Sequence, residues 1–193
     1  MPSIITATQL RSVLGVSSSL YSDAYLEQII DSAENIILPM LVANVSGIRS
    51  VELKSNIAYF YTVRQHGFVE GQSVIVSGVP SPFAATVTVT DDALGDYLFT
   101  AAITHADIDL KPTIPYGTAT LSGYSAADLY ANTPAVESAV YVVSTEIFQS
   151  RLSIGGQLEG VDFQPTPFRL GRSLLSRVQA LLAPYLDAES FAQ

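Results

Sequence analysis

The sequence predicts an α+β protein, a small helical bundle that carries an inserted all-β barrel or sandwich module. Three observations predict it. The hydrophobic period is helical from Thr6 to Val42, switches to two between Gly47 and Gly123, and becomes helical again after Tyr124. Turn-forming dipeptides crowd the middle segment. With 193 residues, 48% hydrophobic and only 14% charged, the chain has ample material for packed cores. The expected organisation is a discontinuous helical domain of residues 1–47 and 125–193, a β domain of residues 48–124, and an extended arm at 150–169 within the helical part.

The first helix is announced by Thr6 and Gln9, which have capping-box spacing, and by Leu10, Val13 and Leu14 before a stop at Gly15. Ser22 is placed to cap the second. There Leu26, Ile29, Ile30, Ala33, Ile36, Ile37, Met40 and Leu41 form one stripe, opposite Glu27, Gln28, Asp31 and Asn35. A helix of about 20 residues follows, with Pro39 kinking or ending it.

In the β segment Ile57, Tyr59, Tyr61 and Val63 alternate with Ala58, Phe60 and Thr62, and Ala85, Val87 and Val89 alternate with threonines. Ile48–Leu53, Ser73–Ser77, Tyr97–Ala102 and Tyr116–Leu121 complete about six short strands, enough for a small barrel or sandwich. Thr133 and Pro134 then read as N-cap and first-turn proline of a helix faced by Val136, Ala139, Val140, Val143 and Ile147. A last stripe contains Leu174, Leu175, Val178, Leu181, Leu182 and Tyr185, with Pro184 as its stop. None of these helices can bury its apolar face alone, so the first is expected to pack against the last two.

Between those two helices Ser150 to Arg169, SRLSIGGQLEGVDFQPTPFR, holds three glycines and two prolines. A structureless connection of about 20 residues is unusual in a compact domain and points to binding or assembly. Exposed apolar residues on it would need a partner surface.

Composition narrows the function classes. The absence of cysteine excludes a disulfide framework and thiolate metal sites. A net charge of −9 opposes general adhesion to nucleic acid. No apolar run reaches the roughly 18 to 20 residues of a membrane span, and the start MPSIITATQL has no basic, then apolar, leader pattern, so a soluble, unexported chain is expected.

Chemistry-bearing residues are few. His66 and His105 are the only histidines, and the hydrolase elbow, Walker loop, dinucleotide fingerprint and zincin helix are all missing. No catalytic, cofactor or metal site is predicted. Asp91, Asp92 and Asp96 offer oxygens to Ca²⁺ but lack loop-site spacing, and a solvated turn is the favoured reading, as for Asp107 and Asp109. Tyr59 and Tyr61 suit either cross-strand packing, the default, or a sugar-stacking platform. Arg169, Arg172 and Arg177 suit either solvent or an acidic partner.

Four pieces resemble the head-to-tail adaptor (connector) proteins of long-tailed bacteriophages: ITATQLRSVLG, DAYLEQIIDSAENII, AVESAVYVVSTEIF followed by RLSIGG, and FRLGRSLLSRVQALLAPYL. The stretches HGFVEGQSVIVSGV, FAATVTVT and DYLFTA resemble small β modules grafted onto phage virion proteins, a departure from the shortest family members. The resemblance implies a structural, non-enzymatic virion protein without cofactor, assembled in the bacterial cytoplasm and located in the neck. It implies a dodecameric ring with neighbouring copies, contact with the portal protein and with a stopper or tail-terminator or tail protein, and DNA only in transit through the channel. Its implied subunit or portal interface comprises Arg151, Ile154, Gly155, Gly156, Val161, Phe163, Phe168, Arg169, Arg172 and Arg177. Alternatives are a virion decoration or carbohydrate-binding protein acting through the β module and, remotely, a carboxylate-dependent hydrolase.

Overall fold

The computed structural model describes residues 3–91, 95–155 and 170–187. The chain divides into two compact units, Met1–Val42 with Tyr130–Gln193, and Ala43–Leu129.

The second unit is a closed barrel of six strands: β1 (Val45–Lys54), β2 (Ile57–Thr62), β3 (Ser73–Ser77), β4 (Thr86–Asp91), β5 (Leu98–Ala102) and β6 (Ile108–Leu121). The order around it is β1-β2-β5-β4-β3-β6, and every pairing is antiparallel. The alternation of β2 resolves with Ala58, Phe60 and Thr62 inward and the tyrosines outward, because only the first set meets the core. Phe60 stacks on Phe99 with centroids 4.8 Å apart, and Phe83 meets Phe60 edge-on at 5.9 Å. Ser55 and Asn56 join β1 to β2 with φ of 52° and 64°, the left-handed pair that a two-residue hairpin needs.

This architecture corrects the expected fold class. In place of a helical bundle with an inserted module, the protein is mixed α/β, dominated by the closed six-stranded antiparallel barrel, with five α-helices among the described residues. Helical stripes are local and show in sequence, whereas a barrel's weight lies in pairings between distant strands. The largest underestimate is β6, which runs over 14 residues where only Tyr116–Leu121 reads as strand. Pro112 and Pro115 hide its first half. They are tolerated because β3 pairs only with Thr118–Leu121, so the preceding residues pair with β1 alone and prolines there interrupt no second ladder. The register slips between Ile48 and Ser50, opposite Gly117 and Pro112, so the bulge turns Ile114 and Tyr116 out to solvent.

The first unit holds α1 (Ala7–Leu14) and α2 (Asp23–Ile37), then α4 (Pro134–Gly155) and α5 (Leu170–Leu182), while α3 (Ala126–Tyr130) spans the boundary. The capping box at Thr6, the left-handed Gly15 and the Ser22 cap form as predicted. Pro39 converts the end of α2 into a 3₁₀ turn, so the α-helix is 15 residues long. α2 packs on α4, α4 on α5, and α1 on both α2 and α4. Ile36, assigned to the buried stripe, is 54% exposed, and Phe148 takes the buried place on α4 while Ile147 is half-buried.

Glu34 is the polar centre of this unit. Its carboxylate, 4% exposed, accepts from the Ser3 and Ile4 backbone N–H groups at 2.8–3.0 Å and from Ser3 Oγ at 2.7 Å. That pins the chain start so that Ile4 and Ile5 enter the core. A second clasp joins the strand-like ends: Val42 N–H donates to the Tyr185 carbonyl at 2.9 Å, Asp187 N–H to the Met40 carbonyl at 2.8 Å, and the Tyr130 hydroxyl to the Val42 carbonyl at 2.9 Å.

Two substitutions test these accounts by denaturant unfolding. A Cβ at Gly117 would lie 2.4 Å from Val79 Cγ1 and 2.9 Å from the Ser77 carbonyl oxygen, so Gly117→Ala should destabilise by about 2 kcal/mol or more. Glu34→Ala strands the buried Ile4 N–H and the part-buried Ser3 N–H and should lose about 2 kcal/mol, with Glu34→Gln falling between it and the natural protein.

Candidate assembly surface

The helical unit leaves several large apolar side chains in solvent: Val13 58%, Leu20 76%, Ile36 54%, Leu152 40% and Leu181 36% exposed. Val13 also borders a groove of about 360 Å³ formed with Tyr141, Val142, Thr145, Glu146 and Gln149 of α4 and Leu174 and Arg177 of α5. α4 contributes both apolar and polar side chains to the groove. One side of the helix, through Val136, Ala139, Val140 and Val143, is buried in the core, which leaves Tyr141 and Val142 to a second surface. Burial raises the Tyr141 hydroxyl above its ordinary pKa, with Glu137 adding to the effect.

The expected interface residues divide into three groups. Arg151 and Arg177 are placed by the fold, Arg177 on the groove and Arg151 with its guanidinium 5.7 Å from the Tyr25 ring centroid. Tyr25 itself stacks with Tyr21, and both meet Phe148 edge-on. Ile154 and Gly155 belong to the end of α4, and Arg172 to α5. The arm therefore does not begin at Ser150: residues 150–155 continue the helix, whose backbone ladder persists through a sequence that the glycine pair made look irregular. Gly156, Val161, Phe163, Phe168 and Arg169 lie outside the described residues.

The groove was missed in sequence because Tyr141 and Val142 fall off the main stripe of α4. The signal that could have revealed it is the excess of apolar residues on both flanks of that helix.

The remaining chemistry-bearing residues have structural settings. His66 is buried: Nδ1 accepts from the Phe68 N–H at 2.9 Å, which leaves the proton on Nε2, 3.3 Å from the Leu98 carbonyl. Asp96 accepts from Gln65 Nε2 at 2.9 Å, and Asp107 from the Ser55 N–H at 2.9 Å. Among the described residues no group of three or more His, Asp or Glu is placed to hold a metal ion. No helix among them is long and apolar enough to cross a membrane.

On the barrel, Glu52 is held by Lys54 and by the Tyr61 hydroxyl, which donates to Oε2 at 3.1 Å. The Lys54 hydrogen bond lowers the Glu52 pKa, and its reciprocal raises that of Lys54. Tyr61 is raised first by burial and then by its bond to Glu52.

No known protein family matches the chain, and no curated protein matches it in sequence.

The depressed Glu52 pKa sets a sign. Its contribution to stability is present above the ordinary carboxyl value of 4.5 and is lost as pH falls through the lower folded-state value. The stability difference between the natural protein and Glu52→Gln should therefore be largest near neutrality and shrink on acidification. A difference that grows towards low pH would contradict the assigned partners.

Proposed function

We propose that this chain is a structural virion protein of the neck of a long-tailed phage, forming a ring that joins the portal to the tail or next neck ring while DNA passes through the channel. The observation that carries the reading is the groove of the helical unit, together with the large apolar side chains the unit leaves exposed. Val13, Leu152 and Leu181 would be poorly placed in a free-standing chain, and they suit a surface that becomes covered by protein. The reading is also supported by the order of α1, α2, α4 and α5, which arise from the four stretches that resemble the head-to-tail adaptors.

In this reading Arg177 and Glu146 orient the docking partner at the groove, and Arg151, held over Tyr25, marks the end of the covered face. A heterologous contact of this kind closes into a ring when its rotation allows, with no self-complementary patch required. The overall negative charge keeps free copies apart and favours a channel along which DNA slides.

Cryo-electron microscopy of intact virions provides the direct test: the expected density is a ring between portal and tail, and density for this chain only elsewhere overturns the proposal. In solution, Val13→Asp should leave the monomer folded, since the side chain is exposed, while reducing co-assembly with the portal by about tenfold or more. Undiminished co-assembly would remove the groove from the interface.

A further inference from the structure

The barrel carries a feature that the assembly reading does not use. On the outer face of β2, Tyr59 and Tyr61 project from alternate positions and are half-buried, while Ala58, Phe60 and Thr62 fill the interior. Tyr61 stands opposite Ser50 in the β1 register, yet its hydroxyl bonds to Glu52, two residues along β1. That bond ties the outer-face Tyr61 side chain diagonally to Glu52 across the β1–β2 pair.

The carboxylate is itself fixed. Glu52, with its side chain 13% exposed, also pairs with Lys54, which remains 60% exposed. Tyr59 lies directly opposite Glu52 on one side and Thr100 on the other, and its hydroxyl has no hydrogen-bond partner among the described residues. Two aromatic rings, one locked and one with an unengaged hydroxyl, thus flank a charge-compensated carboxylate.

We propose that this face is a binding site for a neutral pyranose oligosaccharide, stacked on Tyr61 and Tyr59 and hydrogen-bonded to Glu52, Lys54 and the Tyr59 hydroxyl. Aromatic faces carry negative potential and attract the C–H face of a sugar ring, while its hydroxyls both donate to the carboxylate and accept from the ammonium. Charge selects the class. The Lys54 cation is already matched by Glu52, and the chain carries −9, so an anionic polymer is repelled and an uncharged one meets no opposing field. The residues involved belong to the barrel alone, so the site stands or falls independently of the neck assignment.

The test is a titration of the full chain, with isotope-labelled tyrosine rings, by chitohexaose and separately by maltohexaose, followed by NMR. At least one should shift the Tyr59 and Tyr61 ring signals saturably at millimolar concentration. Tyr59→Ala and Tyr61→Ala should each weaken binding by about tenfold or more, with thermal unfolding little changed because both side chains lie outside the barrel core. Tyr61→Phe keeps the ring but frees Glu52, and should weaken binding less than Tyr61→Ala; this variant decides the matter if an alanine variant fails to fold. Absence of ring shifts with both sugars overturns the proposal, as does binding that persists undiminished in the tyrosine variants.

Discussion

Closure of the barrel rests on β6. This strand pairs with β1 along most of its length and with β3 at its end, and so joins the two edges that the other strands leave open. An unpaired edge would expose a row of backbone donors and acceptors, so closure satisfies hydrogen bonds and seals the aromatic core at once. Where β6 pairs with the end of β3, so little room is left at Gly117 that a side chain would meet both Val79 and the Ser77 backbone. Downstream features inherit this constraint. The outer face of β1 and β2, with its tyrosine pair, exists because the inner alternates are committed to the core.

The helical unit is held by a different physics. Its apolar stripes supply burial without fixing where the chain begins and ends, and polar clasps do the latter. Glu34 fastens Ser3 and Ile4, and the Val42, Tyr130 and Tyr185 contacts gather the points where the chain leaves and re-enters the unit beside the turn that follows α5. A buried carboxylate is stable in such a site because backbone N–H groups replace its lost hydration. With the core satisfied in this way, the apolar residues left over on α1, α4 and α5 are surplus to folding, which is what makes them candidates for assembly.

Two surfaces are therefore proposed to carry function, one on each unit. The groove beside Val13 combines apolar side chains with Glu146 and Arg177, a composition suited to protein contact. The tyrosine face is amphipathic and charge-compensated, a composition suited to a hydroxyl-rich ligand. The neck reading draws on the first and on the adaptor resemblance; the sugar site draws on the second alone.

By itself the sequence determined the local structure: the caps at Thr6, Gly15 and Ser22, the stop at Pro39, the start at Pro134, and the position of β3 from Ser73 to Ser77. Each depends on side chains within a few residues of one another, so the cause lies in the string of letters. Only the tertiary structure decided that the barrel dominates, that β6 starts at Ile108 despite two prolines, that α4 runs on to Gly155, and that Tyr59 and Tyr61 face outward. It also decided that Ile36 stays in solvent and that Tyr141 and Val142 border a groove. Those outcomes turn on which strand or helix arrives from far along the chain to cover a given face, and no local period encodes that.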